Sequence, residues 1–208
     1  MHVLVLAKSP VPGRVKTRLC PPLTYDEAAQ LAEASLAQTL QAVAACSAER
    51  KLLALDGEPG GWLPPGLRVI PQRPGRLDQR LAGAWQDAGG PGLQIGMDTP
   101  QVTAGLLDSC LAVLDRPGAN SALGLATDGG WWAVGLAACW GVDVFTGVPM
   151  STASTGRKQL ARMRAAGHTV ASLPVLQDVD TVEDAQAVAD ATVGSVFSVT
   201  WSNLVAVS

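Results

Sequence analysis

Residues 7–19, AKSPVPGRVKTRL, hold Lys8, Arg14, Lys16 and Arg18 together with Pro10, Pro12 and Gly13, and no acid. The 208-residue chain carries a formal net charge of −3, but its first 25 residues have four basic groups and no acidic ones. The rest holds 11 basic against 18 acidic groups. Positive charge this local describes a site. The overall balance gives no basis for non-specific binding to nucleic acid or an anionic membrane. A loop whose backbone N–H groups converge while lysine and arginine neutralise charge is a way to hold phosphate. The plainer alternative is a solvated basic turn stiffened by its prolines. The absence of acids and the depletion of cations elsewhere favour phosphate, with Lys8, Pro12, Gly13, Arg14, Lys16, Thr17 and Arg18 as the expected binding residues. The usual patterns are missing. Gly13 and Lys16-Thr17 do not have Walker A spacing, and no G-x-G-x-x-G occurs.

Carboxylates supply the complementary chemistry. Asp98 closes the apolar run GLQIGMD and precedes Thr99-Pro100. A carboxylate there suits Mg²⁺, which takes one or two carboxylates plus phosphate oxygens and water. It would equally serve as an N-cap for a segment beginning near Gln101. Asp178 and Asp180 form a D-x-D whose side chains share a face in extended backbone. Asp180 also has Glu183 at capping-box spacing, and the two roles are compatible. Asp184 reads as a first-turn acid complementing a helix dipole. In TDGG (127–130) the glycines permit close backbone approach, or else mark a plain turn. Trp131 and Trp132 point to opposite faces of a strand, so at most one meets a ligand and the other is core.

Other chemistries find little support. Cys20, Cys46, Cys110 and Cys139 are scattered without a C-x-x-C, and His2 and His168 are the only histidines. This argues against a zinc site or a Cys–His nucleophile and fits free thiols in a reducing cytoplasm. His168, without a companion, reads as structural. The six-residue N-terminal apolar run has no charged region before it and reads as a strand rather than a leader. No apolar run reaches the roughly 20 residues a membrane helix needs.

These residues must be positioned by elements of α/β type. HVLVLA (2–7) is a β-branched-rich strand, and the helix 24–46 opens on a Thr24–Glu27 capping box. Strands follow at 51–57, 67–72, 92–98, 121–126, 131–136 and 168–175. Helices are expected at 77–88, 102–115, 157–166 and after 178. Such alternation predicts a mostly parallel sheet covered on both faces, with ligands at the carboxyl ends of its strands. One transferase domain is expected over 1–190. The uncharged stretch 191–208 has an open role: edge strand, oligomer contact or artificial end.

The stretches AKSPVPGRVKTRL, GMDTP (96–100), TDGGWWAVGL (127–136) and DVDTVED (178–184), in this order, resemble the bacterial DUF2064 family. That family is glycosyltransferase A-like (GT-A) and similar to phospholactate guanylyltransferases. The resemblance runs over about residues 2–188. It implies the nucleotide-diphospho-sugar transferase fold, a three-layer α/β sandwich with a mixed, mainly parallel sheet. It also implies Mg²⁺ or Mn²⁺ on Asp98, Asp178 and Asp180, and an acceptor near Asp128, Gly129, Gly130 and Trp131. Three departures fall on the acceptor side. GRLDQR (75–80) stands where the family shows G-D-L-G-E-R, two tryptophans replace a tyrosine pair, and Met150 replaces a tryptophan.

The expected reaction is transfer of an NMP from an NTP to a small phospho-acid or sugar phosphate, with pyrophosphate leaving. An ionised phosphate needs no general base, so positioning and charge stabilisation suffice. Arg14, Lys16 and Asp98 carry the catalytic role, and Lys8 reaches a phosphate or ribose. The alternatives are a glycosyltransferase using an NDP-sugar and a non-catalytic nucleotide-binding module. The expected partners are the nucleotide and a small-molecule acceptor, with no nucleic acid and no membrane. A homodimer is compatible with the sequence.

Overall fold

Strand β1 (His2–Lys8) sends Val3, Val5 and Ala7 into one hydrophobic cluster and Leu4 into another. The alternation follows from strand geometry, and a strand apolar on both faces must lie between two layers. The computed structural model describes residues 1–116, 118, 120–138 and 143–206. Cys139 therefore lies outside the described residues.

The remaining elements are α1 (Tyr25–Ala45), β2 (Arg50–Asp56), β3 (Arg68–Pro71), α2 (Leu77–Ala88), β4 (Gly92–Ile95) and α3 (Ala104–Leu114). They continue with β5 (Ser121–Leu125), β6 (Trp131–Leu136), α4 (Thr155–Ala165), β7 (Val170–Ser172), α5 (Val182–Ala191) and α6 (Val196–Val205). The seven strands described form one sheet in the order β3-β2-β1-β4-β6-β5-β7. Only β6 runs antiparallel to its neighbours. This is the mixed, mainly parallel sheet that the resemblance implies, with helices on both faces as the alternation of elements predicts. On one face Val3, Val5, Leu53, Leu93 and Ile95 meet α1 through Leu36, Leu40 and Val43 and α3 through Leu107, Leu111 and Leu114. On the other, α2 contributes Leu81, Ala84 and Trp85, and α4 contributes Met163.

The local signals explain several boundaries. Thr24 and Glu27 form the full capping box at the start of α1. Strand β4 stops at Ile95, three residues before Asp98, and α3 is capped by Thr103, so Asp98 caps no helix. At α5 the N-cap is Thr181 and not Asp180. The Asp184 carboxylate accepts from the Asp180 and Thr181 N–H groups and from Thr181 Oγ1. Asp184 is thus the capping-box acid, and Asp180 keeps its own carboxylate free for the loop.

Residues 196–205 form a helix and not an edge strand. Phe197, Trp201 and Leu204 are buried against Leu23, Ala28 and Leu31 near the start of α1 and against Ala185 and Val188 of α5. The spacing of four and then three residues places the three side chains on one helical face. Trp201 Nε1 donates to Gln186 Oε1 at 2.9 Å. No helix among the described residues is long and apolar enough to cross a membrane.

Candidate functional site

The carboxyl ends of β1 and β4 and the amino end of the reversed β6 meet along one edge of the sheet, where a cavity of about 670 Å³ opens. Of the expected phosphate-binding residues, Lys8, Arg14, Lys16, Thr17 and Arg18 line it, whereas Pro12 and Gly13 do not. Gly13 instead turns the loop at φ 73°. Lys16 itself sits in the left-handed region at φ 48°, ψ 32°, an uncommon conformation for a residue with a side chain.

That backbone carries the Lys16 side chain inward until only 7% of it is exposed. Its ammonium pairs with Asp98, donates to the Val179 carbonyl, and lies 3.5 Å from Asp180 Oδ1. Burial works against the charge, but Asp98 and Asp180 outweigh it and hold the lysine pKa above its ordinary value. Arg18 reaches the other oxygen of Asp180 at 3.4 Å. Lys8 and Arg14 form no ion pair among the described residues, so two of the four cations stay available.

The carboxylates are brought together by backbone pairing. Val179 N–H donates to the Asp98 carbonyl at 2.9 Å, so the D-x-D segment lies directly against the end of β4. Val179 is fully buried among Leu19, Leu23, Leu31, Phe197 and Trp201, which anchors the segment between its two aspartates. Burial pushes the Asp178 carboxyl up to about 7, with Asp98, Asp128 and Asp180 adding to the effect and Lys16 opposing it. Asp128, Gly130 and Trp131 also line the cavity, but Gly129 does not. Gly129 accepts from Gly156 N–H at 2.8 Å, and a Cβ at this position would overlap the Ala153 carbonyl. It thereby locks the turn onto the start of α4. Both tryptophans line the cavity, but Trp132 is the core one, 1% exposed with Nε1 bonded to the Pro174 carbonyl, and Trp131 is the more exposed of the two.

Among the described residues no group of three or more His, Cys, Asp or Glu side chains is arranged to hold a metal ion. The Asp98–Asp178–Asp180 set expected from the resemblance is gathered but does not form a ready cage. Asp98 and Asp180 instead flank one cation, the Lys16 ammonium. This donor set, hard oxygens on two half-exposed carboxylates, fits a divalent ion that completes its shell with phosphate oxygens.

Several lining residues lie outside the motifs. Gln72 Nε2 donates to the Ala7 and Ala54 carbonyls, and its Oε1 accepts from Arg80 Nε. Arg80 also pairs with Asp56 at 3.0 Å. The start of α2 supplies Leu77 and Leu81, and residues 150–153 close the opposite side. Arg76 donates to Asp78, which also accepts from Gly147 N–H; these contacts hold the Asp78 carboxyl near about 2 and tie α2 to the 143–148 loop. The GRLDQR stretch was one signal for α2's involvement. The rest needed the chain to fold before it could be seen.

The fold is shared with solved structures. A protein from Desulfovibrio desulfuricans G20, described as a candidate nucleotide-diphospho-sugar transferase, is 28% identical with a TM-score of 0.83, covering 97% of this chain and 92% of that one. Rv0371c from Mycobacterium tuberculosis H37Rv is 20% identical with a TM-score of 0.53, covering 89% and 95%. CMP:2-keto-3-deoxy-manno-octonic acid synthetase, solved with CTP, is 12% identical with a TM-score of 0.55, covering 92% and 98%. The last two share the fold alone. No curated protein sequence matches significantly. One family profile matches residues 28–152, a stretch that includes Asp98 and the 127–136 turn and strand but neither the cationic loop nor Asp178 and Asp180. The chain belongs to that family, DUF2064, described as an uncharacterized protein conserved in bacteria.

Proposed function

We propose that this chain is a divalent-cation-dependent nucleotidyltransferase that moves an NMP from an NTP to a small anionic acceptor and releases pyrophosphate. The observation that carries this reading is the Lys16 ammonium seated between Asp98 and Asp180 in a cavity also lined by Lys8 and Arg14, which form no ion pair among the described residues. Lys8 and Arg14, joined by Arg18 in its long, exposed pairing with Asp180, offer more than a diphosphate requires and suit a triphosphate. The solved synthetase with CTP and a cytidylyltransferase from Leptospira borgpetersenii, both on this fold, support the reading as neighbours.

In this reading Lys8, Arg14 and Arg18 bind the β- and γ-phosphates and neutralise charge as pyrophosphate departs. Lys16 orients the α-phosphate against Asp98. Mg²⁺ or Mn²⁺, held by Asp98 and Asp180, would supply further charge neutralisation at the α-phosphate. An oxygen of the acceptor phosphate attacks the α-phosphorus, the bond to the β-phosphate oxygen breaks, and the electron pair leaves with pyrophosphate. An ionised acceptor gives up no proton, so no base is required. Asp128, Gly130 and Trp131 border the acceptor.

Glycosyl transfer from an NDP-sugar is the second reading, favoured by the description of the Desulfovibrio protein. Thermal shift with NTPs and with NDP-sugars, each with and without Mg²⁺, separates the two. Stabilisation by an NTP and Mg²⁺ that is lost in Lys16→Ala is expected. Stabilisation by NDP-sugars alone would overturn the nucleotidyl reading.

A further inference from the structure

The cavity has two chemically different ends. Apart from the cationic loop, the lining includes Leu77 and Leu81 of α2 together with Trp131 and Met150. Leu81, Trp131 and Met150 belong to one apolar cluster that continues into the core through Phe145, whose ring lies 6.1 Å from that of Trp131. Leu77 is 38% exposed at the first position of α2, an apolar side chain left at the cavity's mouth.

The cations near this end are already engaged. Arg80 is held by Asp56 and Gln72, and Arg76 by Asp78. Neither can neutralise a second anionic group on an acceptor without giving up its partner. Of Leu77, Leu81, Trp131 and Met150, only the Trp131 indole can donate a hydrogen bond, and its N–H is buried without a partner among the described residues; the hydroxyls of Ser151, Thr152 and Thr155 also line the cavity. A polyol body lying along these four side chains would leave the hydroxyls turned toward them unpaired, which is costly.

We propose that the acceptor is the phosphate monoester of an apolar alcohol rather than a sugar phosphate. This rests on the reading that the cationic end holds the nucleotide. The acceptor's phosphate points toward Asp98 and Lys16, and its apolar body lies along Leu77, Leu81, Trp131 and Met150. The bond formed is P–O–P between acceptor and NMP, and the bond broken is the α–β linkage of the NTP.

The test reads binding directly, so it does not depend on turnover. Ethyl, butyl and hexyl phosphate and glucose 1-phosphate are titrated into the full chain by calorimetry. NTP binding with Mg²⁺ is measured separately. Affinity should rise about fourfold for each methylene that leaves water, and hexyl phosphate should exceed glucose 1-phosphate by at least about tenfold. Leu77→Ser, at a partly exposed position, should flatten the series. A flat series, preference for glucose 1-phosphate, or an unchanged slope in Leu77→Ser would overturn the proposal. If the alkyl series behaves as expected and no NTP binds, the apolar phosphate site stands and the nucleotidyl reading fails.

Discussion

Lys16 and Asp98 form one ion pair, yet removing either end should have unequal consequences. The lysine side chain is 7% exposed, whereas the Asp98 and Asp180 side chains are each 41% exposed. In Lys16→Met the aliphatic stem is conserved and the left-handed backbone carries the same strain as before. The burial cost of the ammonium disappears with the charge, and the half-exposed carboxylates recover water. The loss should resemble that of a surface pair, about 1 kcal/mol. In Asp98→Asn the ammonium stays buried with Asp180 at 3.5 Å and one carbonyl. Stranding a buried charge costs roughly 3–5 kcal/mol. Asp178 recovers part of this, because its carboxyl ionises more readily once the Asp98 charge is gone. About 3 kcal/mol is therefore expected. Urea unfolding at pH 7 in EDTA measures both, and the corresponding shifts in Tm are roughly 2–4 °C and 6–12 °C. If Lys16→Met costs as much as Asp98→Asn, lysine burial does not govern the pair and the reasoning fails.

His2 is fully buried beside Trp85, ring centroids 4.9 Å apart, and burial, then Arg50 and the terminal ammonium, pull its pKa from 6.5 to about 4. As pH falls the unfolded chain takes up this proton first, so the His2 contribution should lower stability between pH 6.5 and about 4 by roughly 3 kcal/mol. Asp178, raised to about 7 in the folded chain, acts in the opposite sense over the same range. The difference in unfolding free energy between the parent and His2→Phe, from urea unfolding at each pH, removes the Asp178 contribution and should shift against the parent by that amount as pH falls; a constant difference would refute the assignment. Gly129→Ala meets both a φ of +88° and the Ala153 carbonyl, and should cost about 3 kcal/mol by thermal denaturation; a neutral effect would mean the turn and α4 are not locked. Trp201→Ala should cost about 4 kcal/mol in the same assay. That result would support our reading that the folding unit extends through α6 rather than ending near residue 190, and a loss under 1 kcal/mol would restore the boundary.

Much of the architecture was legible because it is local. The alternation in HVLVLA and the Thr24–Glu27 spacing determine β1 and the start of α1 by short-range geometry. DVDTVED was ambiguous for a physical reason. Asp180 with Glu183 and Thr181 with Asp184 both have capping spacing, and the choice falls to Thr181, leaving the Asp180 carboxylate to Lys16 and Arg18. The 196–205 helix had a readable signal in Phe197, Trp201 and Leu204, obscured by β-branched neighbours that read as loose alternation. The apolar part of the cavity lining was hidden because Leu77, Arg80 and Met150 come together only after α2 and the 150–153 segment converge on the same cavity.

The reversed strand β6 has a consequence for how such a site could diversify. Because β6 runs against its neighbours, the β5–β6 turn opens at the cavity, and Gly129 pins it to the start of α4. The cationic loop and the Asp98–Val179 pairing belong to other connections. Insertions or exchanges in residues 126–131 and 149–153 would therefore redraw the wall that greets one reactant while leaving the grip on the other intact. In the nucleotidyltransferase reading proposed above, donor and acceptor recognition would then be separately heritable parts of one sheet edge.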